Sequence, residues 1–213
     1  MTIICAYHDG DTGEVWIGAD SRVTGESFRF PITATKWRIA KTGRHAIGMS
    51  GASRAAQLIR GLDEYALFKD ATPRGIGDLI RSALRDDGFL NQERESGPPR
   101  YECQCILVVD GRVYDFDTSG SVALIDEGQL WARGRGMDYA LGAAHAMRRV
   151  ARFLAPIDVV KEAIAAACAY DLSCGGEPFI ARTTTDGWQE VHDDLDGLRS
   201  RGEERTIAWH AVP

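Results

Sequence analysis

Thr2 stands directly behind Met1 at the head of a β-type run, Ile3-Ile4-Cys5-Ala6-Tyr7. A small second residue favours removal of the initiator methionine, and that removal would leave one residue carrying both a hydroxyl and a free α-amino group. An unperturbed α-amine titrates at about 7.7 to 8.0, far nearer neutrality than a lysine ε-amine, so it can take the hydroxyl proton as attack begins. One residue would then be nucleophile and base. Position alone is weak support, because every chain has a second residue, so other residues must carry the case. Asp20 closes the apolar run Val15-Trp16-Ile17-Gly18-Ala19, and a carboxylate inside the fold needs a partner. Lys36, sixteen residues further on, would supply one. A buried ammonium near Thr2 would also lower the pKa of the neighbouring amine by like-charge repulsion and stabilise a hydroxyl losing its proton. The plain readings of the same residues are a strand-ending turn carboxylate and a solvated strand lysine.

Bringing residues 2, 20 and 36 together is a task for the strands around them. Two β runs, 2–8 and 14–20, flank Asp9-Gly10-Asp11-Thr12-Gly13, which suits a hairpin turn. Residues 23–35 are polar and read as irregular around Gly25 and Pro31. Runs at 36–40 and 45–49, joined by Lys41-Thr42-Gly43, predict a second hairpin. Ser50-Gly51-Ala52-Ser53 then reads as the break that starts a helix, with Ala55, Leu58, Ile59, Leu62 and Ala66 at helical spacing through Gly61. A further helix follows Thr72-Pro73 and stops at Asp87-Gly88, and the Pro- and Gly-rich stretch 89–101 reads as a solvated or partner-facing loop. Short strands are expected at 103–109, 112–116, 121–125 and 129–132, then helices at 137–154 and 157–170. Strands at 179–183, 188–192 and 206–211 complete the order, with 193–205 a charged loop. Runs of strands alternating with helix pairs predict an α+β fold, a four-layer αββα sandwich formed by one domain spanning 1–213.

Composition narrows the function. With 213 residues and 44% hydrophobic content the chain can bury the core of one generous domain. A net charge of −6, with basic residues scattered among acids, gives no footprint for nucleic acid. No window approaches the roughly 18 apolar residues of a membrane span, and no signal peptide precedes the first strand, which predicts a cytoplasmic protein. The five cysteines lack framework or zinc-ligand spacing and read as free thiols; Cys103 and Cys105 fall on one strand face as small buried hydrophobes. The dispersed histidines form no Ser-His-Asp arrangement, and no phosphate-binding glycine loop is present, so no cofactor is expected.

Thr2 before a β run, Gly18-Ala19-Asp20-Ser21-Arg22, Lys36, and Gly48-Met49-Ser50-Gly51-Ala52 resemble the β-type subunits of the proteasome and the HslV-type peptidases. Gly134-Arg135-Gly136 with Tyr139-Ala140-Leu141, and Asp171-Leu172-Ser173-Cys174-Gly175-Gly176, extend the likeness over roughly residues 2–192. The resemblance implies the N-terminal-nucleophile hydrolase fold and a homo-oligomeric ring, commonly two rings stacked. It also implies an AAA+ ATPase partner that delivers unfolded polypeptide. Residue by residue it implies Thr2 as nucleophile, Asp20 and Lys36 beside it, and Gly51 as the backbone donor to the oxyanion. The plain reading of Gly51 is a simple strand-to-helix turn. Asp171 falls where relatives carry an acid supporting the amine. Cys174 stands where they commonly carry serine, so either Cys174 is a tolerated small substitute or Ser173 takes over the hydrogen bond. Arg135 lies where many relatives carry serine, and a guanidinium there could hold the α-amine neutral, bind an acidic substrate group or obstruct the site.

The expectation is therefore a threonine peptidase that cleaves peptide bonds through an acyl-enzyme on Thr2. Arg135 and Cys174 motivate an alternative, a non-catalytic ring or scaffold subunit, and an amidase acting on small amides is a third reading.

Overall fold

Every residue from Ile3 to Ala6 and from Val15 to Ala19 is buried, so the strands they form have no solvent face and must be covered on both sides. The computed structural model describes residues 2–24, 29–30, 36–41, 43–68, 71–91, 100–150, 154–185 and 187–191. In chain order the elements are β1 (Ile3–His8), β2 (Val15–Ala19), β3 (Val23–Thr24), β4 (Arg29–Phe30), β5 (Trp37–Ile39) and β6 (Ala46–Gly51). Then come α1 (Ser53–Gly61), α2 (Glu64–Phe68), α3 (Pro73–Asp86), β7 (Leu90–Asn91), β8 (Arg100–Tyr101), β9 (Cys103–Val109) and β10 (Arg112–Phe116). The remainder are β11 (Val122–Leu124), β12 (Leu130–Gly134), α4 (Met137–Val150), α5 (Pro156–Tyr170), β13 (Phe179–Thr184) and β14 (Gly187–Glu190).

Two five-stranded antiparallel sheets result, ordered β12-β1-β2-β13-β14 and β11-β10-β9-β6-β5. Strand alternation sorts the side chains into three cores. Ile3 and Cys5 of β1 pack with Val160, Ala163 and Ile164 of α5 under the α4/α5 layer. Ile4, Ala6 and Ile17 face the other sheet and meet Ile106 and Val108 of β9. On the far side of that second sheet, Ile47, Cys105 and Leu107 pack against Ile59, Ile76 and Ile80 of α1 and α3. This is the expected α+β sandwich with helices on both outer faces.

Close approach of α5 to the first sheet depends on Gly18, where a Cβ would sit 2.6 Å from Ile164 Cδ1 and 2.7 Å from Val160 Cγ1. Trp37 lies over Gly48 and spans the gap between the sheets, donating its indole N–H to the Gly18 carbonyl at 3.0 Å.

Four sequence expectations are corrected. The helix read from 55 to 66 ends at Gly61, where the Leu62 N–H turns back to the Ile59 carbonyl and α2 begins afresh at Glu64. The chain leaves the helix at Leu62, which is extended, a backbone change that the apolar periodicity does not register. Ser50 and Gly51 end β6 instead of starting a helix, because β9 continues its ladder to Gly51↔Cys103. The irregular stretch 23–35 contains the short ladder Val23↔Phe30 and Thr24↔Arg29. Stretch 89–101 likewise contains a ladder, Leu90↔Tyr101 and Asn91↔Arg100. The charged segment 193–205 and the strand expected at 206–211 lie outside the described residues.

Candidate active site

The antiparallel register of β1 and β2 pairs Ile4 with Ala19 and thereby sets Asp20 beside Ile3, whose carbonyl accepts the Asp20 N–H at 3.2 Å. Asp20 is 1% exposed, and its carboxylate is surrounded by donors. Oδ1 accepts the Thr2 hydroxyl at 2.8 Å, the Ile3 N–H at 2.8 Å and the Lys36 ammonium; Oδ2 accepts the Gly175 N–H at 3.0 Å. Thr2 and Lys36, at 5% and 7% exposure, are nearly as sealed as Asp20. Lys36 donates a second bond to the Arg22 carbonyl at 2.9 Å. Burial pushes the Lys36 ammonium below its ordinary pKa, and the Asp20 charge and hydrogen bond oppose that shift. Thr2, Asp20 and Lys36 thus form one buried cluster.

Lys36 is delivered by its neighbour in sequence. Trp37 fixes the start of β5 between the sheets, and the Met49 N–H holds the Lys36 carbonyl at 2.9 Å. Gly134, at the end of β12, closes another side of Thr2. Its register partner is Ile3, its φ is +111°, and a Cβ there would overlap the Thr2 carbonyl and stand 3.2 Å from Ser50 Oγ. Arg135 is exposed in the turn from β12 to α4, and its charge reaches the carboxylate of Asp171.

Asp171 caps the end of α5 and accepts the Ser173 N–H at 2.8 Å and the Ser173 hydroxyl at 2.6 Å. Partial burial raises its pKa, but those two bonds and the Arg135 charge outweigh this and hold the carboxyl below its ordinary value. The Ser173 hydroxyl is therefore committed to Asp171. Cys174 is fully buried beside Gly136, and burial together with the Asp20 charge pushes its thiol up to about 12, which leaves no thiolate at neutral pH. Gly51 is the one exposed residue of β6, with φ +121° and no room for a Cβ against the Glu102 carbonyl. The neighbouring Ala52 N–H is already bonded to that carbonyl at 3.0 Å.

Sequence reasoning assigned no role to Arg22, whose guanidinium donates to the carbonyls of Cys174 at 2.7 Å and Leu172 at 3.1 Å. Its backbone N–H meets the Gly175 carbonyl at 2.8 Å. Arg22 therefore clamps segment 171–176 against the end of β2 and turns the Gly175 N–H onto Asp20. The available signal was a basic residue two places after a candidate acid, which does not reveal a clamp on a loop 150 residues away.

No protein-family model matches the chain. The ATP-dependent protease subunit HslV of Wolinella succinogenes is 28% identical over 163 residues, covering 76% of this chain and 87% of its own length. The subunit of the same name from Campylobacter hominis is 30% identical over 165 residues, covering 76% of this chain and 85% of its own. The chain belongs to the HslV family. Among solved structures, Thiobacillus denitrificans BPH superposes with a TM-score of 0.65 at 18% identity, covering 91% of this chain and 100% of that one. The same BPH is also solved in complex with epoxomicin. Within this HslV-family fold, the Thr2, Asp20 and Lys36 cluster is the buried polar centre at the opening of the first strand.

Proposed function

We propose that this HslV-family chain, a threonine-type protease subunit, hydrolyses peptide bonds of unfolded polypeptides through an acyl-enzyme on Thr2. The observation that carries the reading is the Thr2 hydroxyl held on Asp20 Oδ1 together with the Lys36 ammonium. That oxygen is occupied by other donors, so the group left to take the hydroxyl proton is the α-amine freed when Met1 is removed. Thr2 Oγ1 then bonds to the scissile carbonyl carbon as its proton passes to the amine. The carbonyl electron pair moves to oxygen, where the Gly51 N–H can donate to it, and an exposed glycine lets the substrate backbone approach. Collapse breaks the C–N bond, and the α-ammonium returns its proton to the leaving amine. Water, deprotonated by the same amine, cleaves the resulting ester and restores the hydroxyl. Lys36 favours the neutral amine and the developing oxyanion charge on Oγ1, Asp20 holds Lys36, and Asp171 with Ser173 shapes the wall on the amine side. Arg135 brings a cation to the same wall, and Cys174 fills it without reacting.

The same reading makes the chain one subunit of a homo-oligomeric ring, with two rings stacked, fed by an AAA+ ATPase in the cytoplasm. Relatives named as subunits of an ATP-dependent protease support the ring and its ATPase. No helix among the described residues is long and apolar enough to cross a membrane.

Intact mass of the purified protein should show Met1 absent. Thr2→Ala should abolish cleavage of fluorogenic peptides and of casein, and Thr2→Ser should retain part of it. Wild type and Thr2→Ala equally silent on every substrate would favour a scaffold subunit, and activity confined to small amides would favour an amidase.

A further inference from the structure

β1 lies between β2 and β12, so Thr2 at its head has one flank set by Asp20, directly after β2, and the other by Gly134, the last residue of β12. Asp20 is fastened by its ion pair with Lys36, just before β5 of the second sheet. The other flank has a fastening of its own, at Asp115 of β10. β12 is an edge strand, with β1 as its one ladder partner among the described residues. Trp131 and Arg133, two places apart, turn the same way, toward the second sheet, and both reach Asp115. Asp115 Oδ1 accepts the Trp131 indole N–H at 3.0 Å and Arg133 Nε at 2.6 Å, and Oδ2 accepts Arg133 Nη2. The Arg133 guanidinium lies 5.2 Å from the centre of the Trp131 ring. Its Nη1 is 3.8 Å from Met137 Sδ, at the first residue of α4. Arg133 therefore spans the turn Gly134-Arg135-Gly136 from one end to the other.

The pair is largely sealed, with the Asp115 and Arg133 side chains 9% and 13% exposed. Their register partners, Ile106 and Ile4, belong to the apolar layer between the sheets. A charge pair in such a place is weak ground for stability, since apolar residues of similar volume often serve as well or better. What it does specify is register. A slip of β12 by one residue would swing Trp131 and Arg133 to the helix side and abandon Asp115. The same slip would bring Arg133 or Arg135 to the place of Gly134, where a Cβ would overlap the Thr2 carbonyl. The register that Asp115 selects is the one that Thr2 can accept.

We propose that Asp115 is a positioning residue for the reaction at Thr2. Acting through Trp131 and Arg133, it holds β12 in the register that keeps Gly134 against Thr2 and keeps the turn to α4 in place beside it. The inference rests on the peptidase reading proposed above and adds a residue that this reading did not contain.

The variant Asp115→Leu/Arg133→Leu tests it, because it removes both charges together and leaves neither buried alone. Thermal unfolding should place this variant close to wild type or above it. Kinetics on fluorogenic peptides should show kcat lower by about ten- to a hundredfold with KM little changed, since the peptide still binds and the nucleophile is misplaced. Asp115→Asn, which keeps an acceptor for Trp131 and Arg133, should melt below the double variant yet turn over faster, an order that loss of stability cannot produce. Hydrogen exchange read by mass spectrometry should show the amides of 130–134 opening faster in the double variant while β2 and β13 stay protected. Activity that follows melting temperature across the three proteins, or a double variant with wild-type kcat, would overturn the role of Asp115 alone. Wild type silent on every peptide would overturn the peptidase reading itself. Exchange then still decides the hold on β12: faster opening at 130–134 upholds it, and unchanged opening overturns it.

Discussion

Asp20 accepts from Thr2, Ile3, Lys36 and Gly175, so a change at this one residue disturbs both the proposed nucleophile, Thr2, and the buried cation. Asp20→Asn leaves the Lys36 ammonium without its counter-charge in a site of 7% exposure. Breaking a buried pair by removing one partner costs about 3–5 kcal/mol, so the variant should melt well below wild type and lose at least about a hundredfold in turnover. Thermal unfolding beside peptide assays checks both. Asp171 has a separate signature in pH. Its carboxyl is held below the ordinary 3.8, so its contribution to stability is full above that value and is lost as the pH falls through the folded pKa. Asp171→Asn should therefore shrink the difference in melting temperature between pH 7 and pH 3, most of the change being a lower value at pH 7. The residue types at positions 2, 20 and 36 were legible as candidates from the chain alone, because a carboxylate ending an apolar run demands a partner. Arg22 was not legible, since its bonds go to carbonyls of a segment remote in sequence.

The turn between β12 and α4 and the segment after α5 hold the cluster from outside. Gly134 is the tightest point, with the Thr2 carbonyl where a Cβ would be and a φ of +111° that disfavours any other residue. Gly134→Ala should displace Thr2 and remove activity out of proportion to its loss of stability, as parallel kinetics and denaturant titration would reveal. Elements whose periodicity is set by burial were readable in sequence: β9, β10, α3 and α5 fall close to their apolar patterns. Boundaries set by backbone geometry were not. Gly61 ends α1 in the middle of an apolar helical repeat, and β6 runs on to Gly51 because a partner strand is there to pair with it.

Across the molecule, the two sheets are tied where Trp37 reaches Gly18, which couples the packing of the sandwich to the position of Lys36 one residue away. Trp37→Phe should cost about 1 kcal/mol for the lost hydrogen bond plus the unfilled volume, and should reduce turnover because β5 is less firmly seated. Denaturation midpoints and peptide cleavage measured on the same preparation would register the pair of effects. The layer order follows from local information: runs apolar on both faces cannot face water, and groups of amphipathic helices stand between them in the chain. Thr2, Asp20 and Lys36 were already marked by their chemical types and their places at strand ends. Their convergence on one carboxylate oxygen, the clamp from Arg22 and the withdrawal of Cys174 and Ser173 from open chemistry depend on contacts between segments up to 155 residues apart. Such contacts are set by sheet register and by the space that glycines leave between backbones, and neither leaves a periodic trace in the order of residues along the chain.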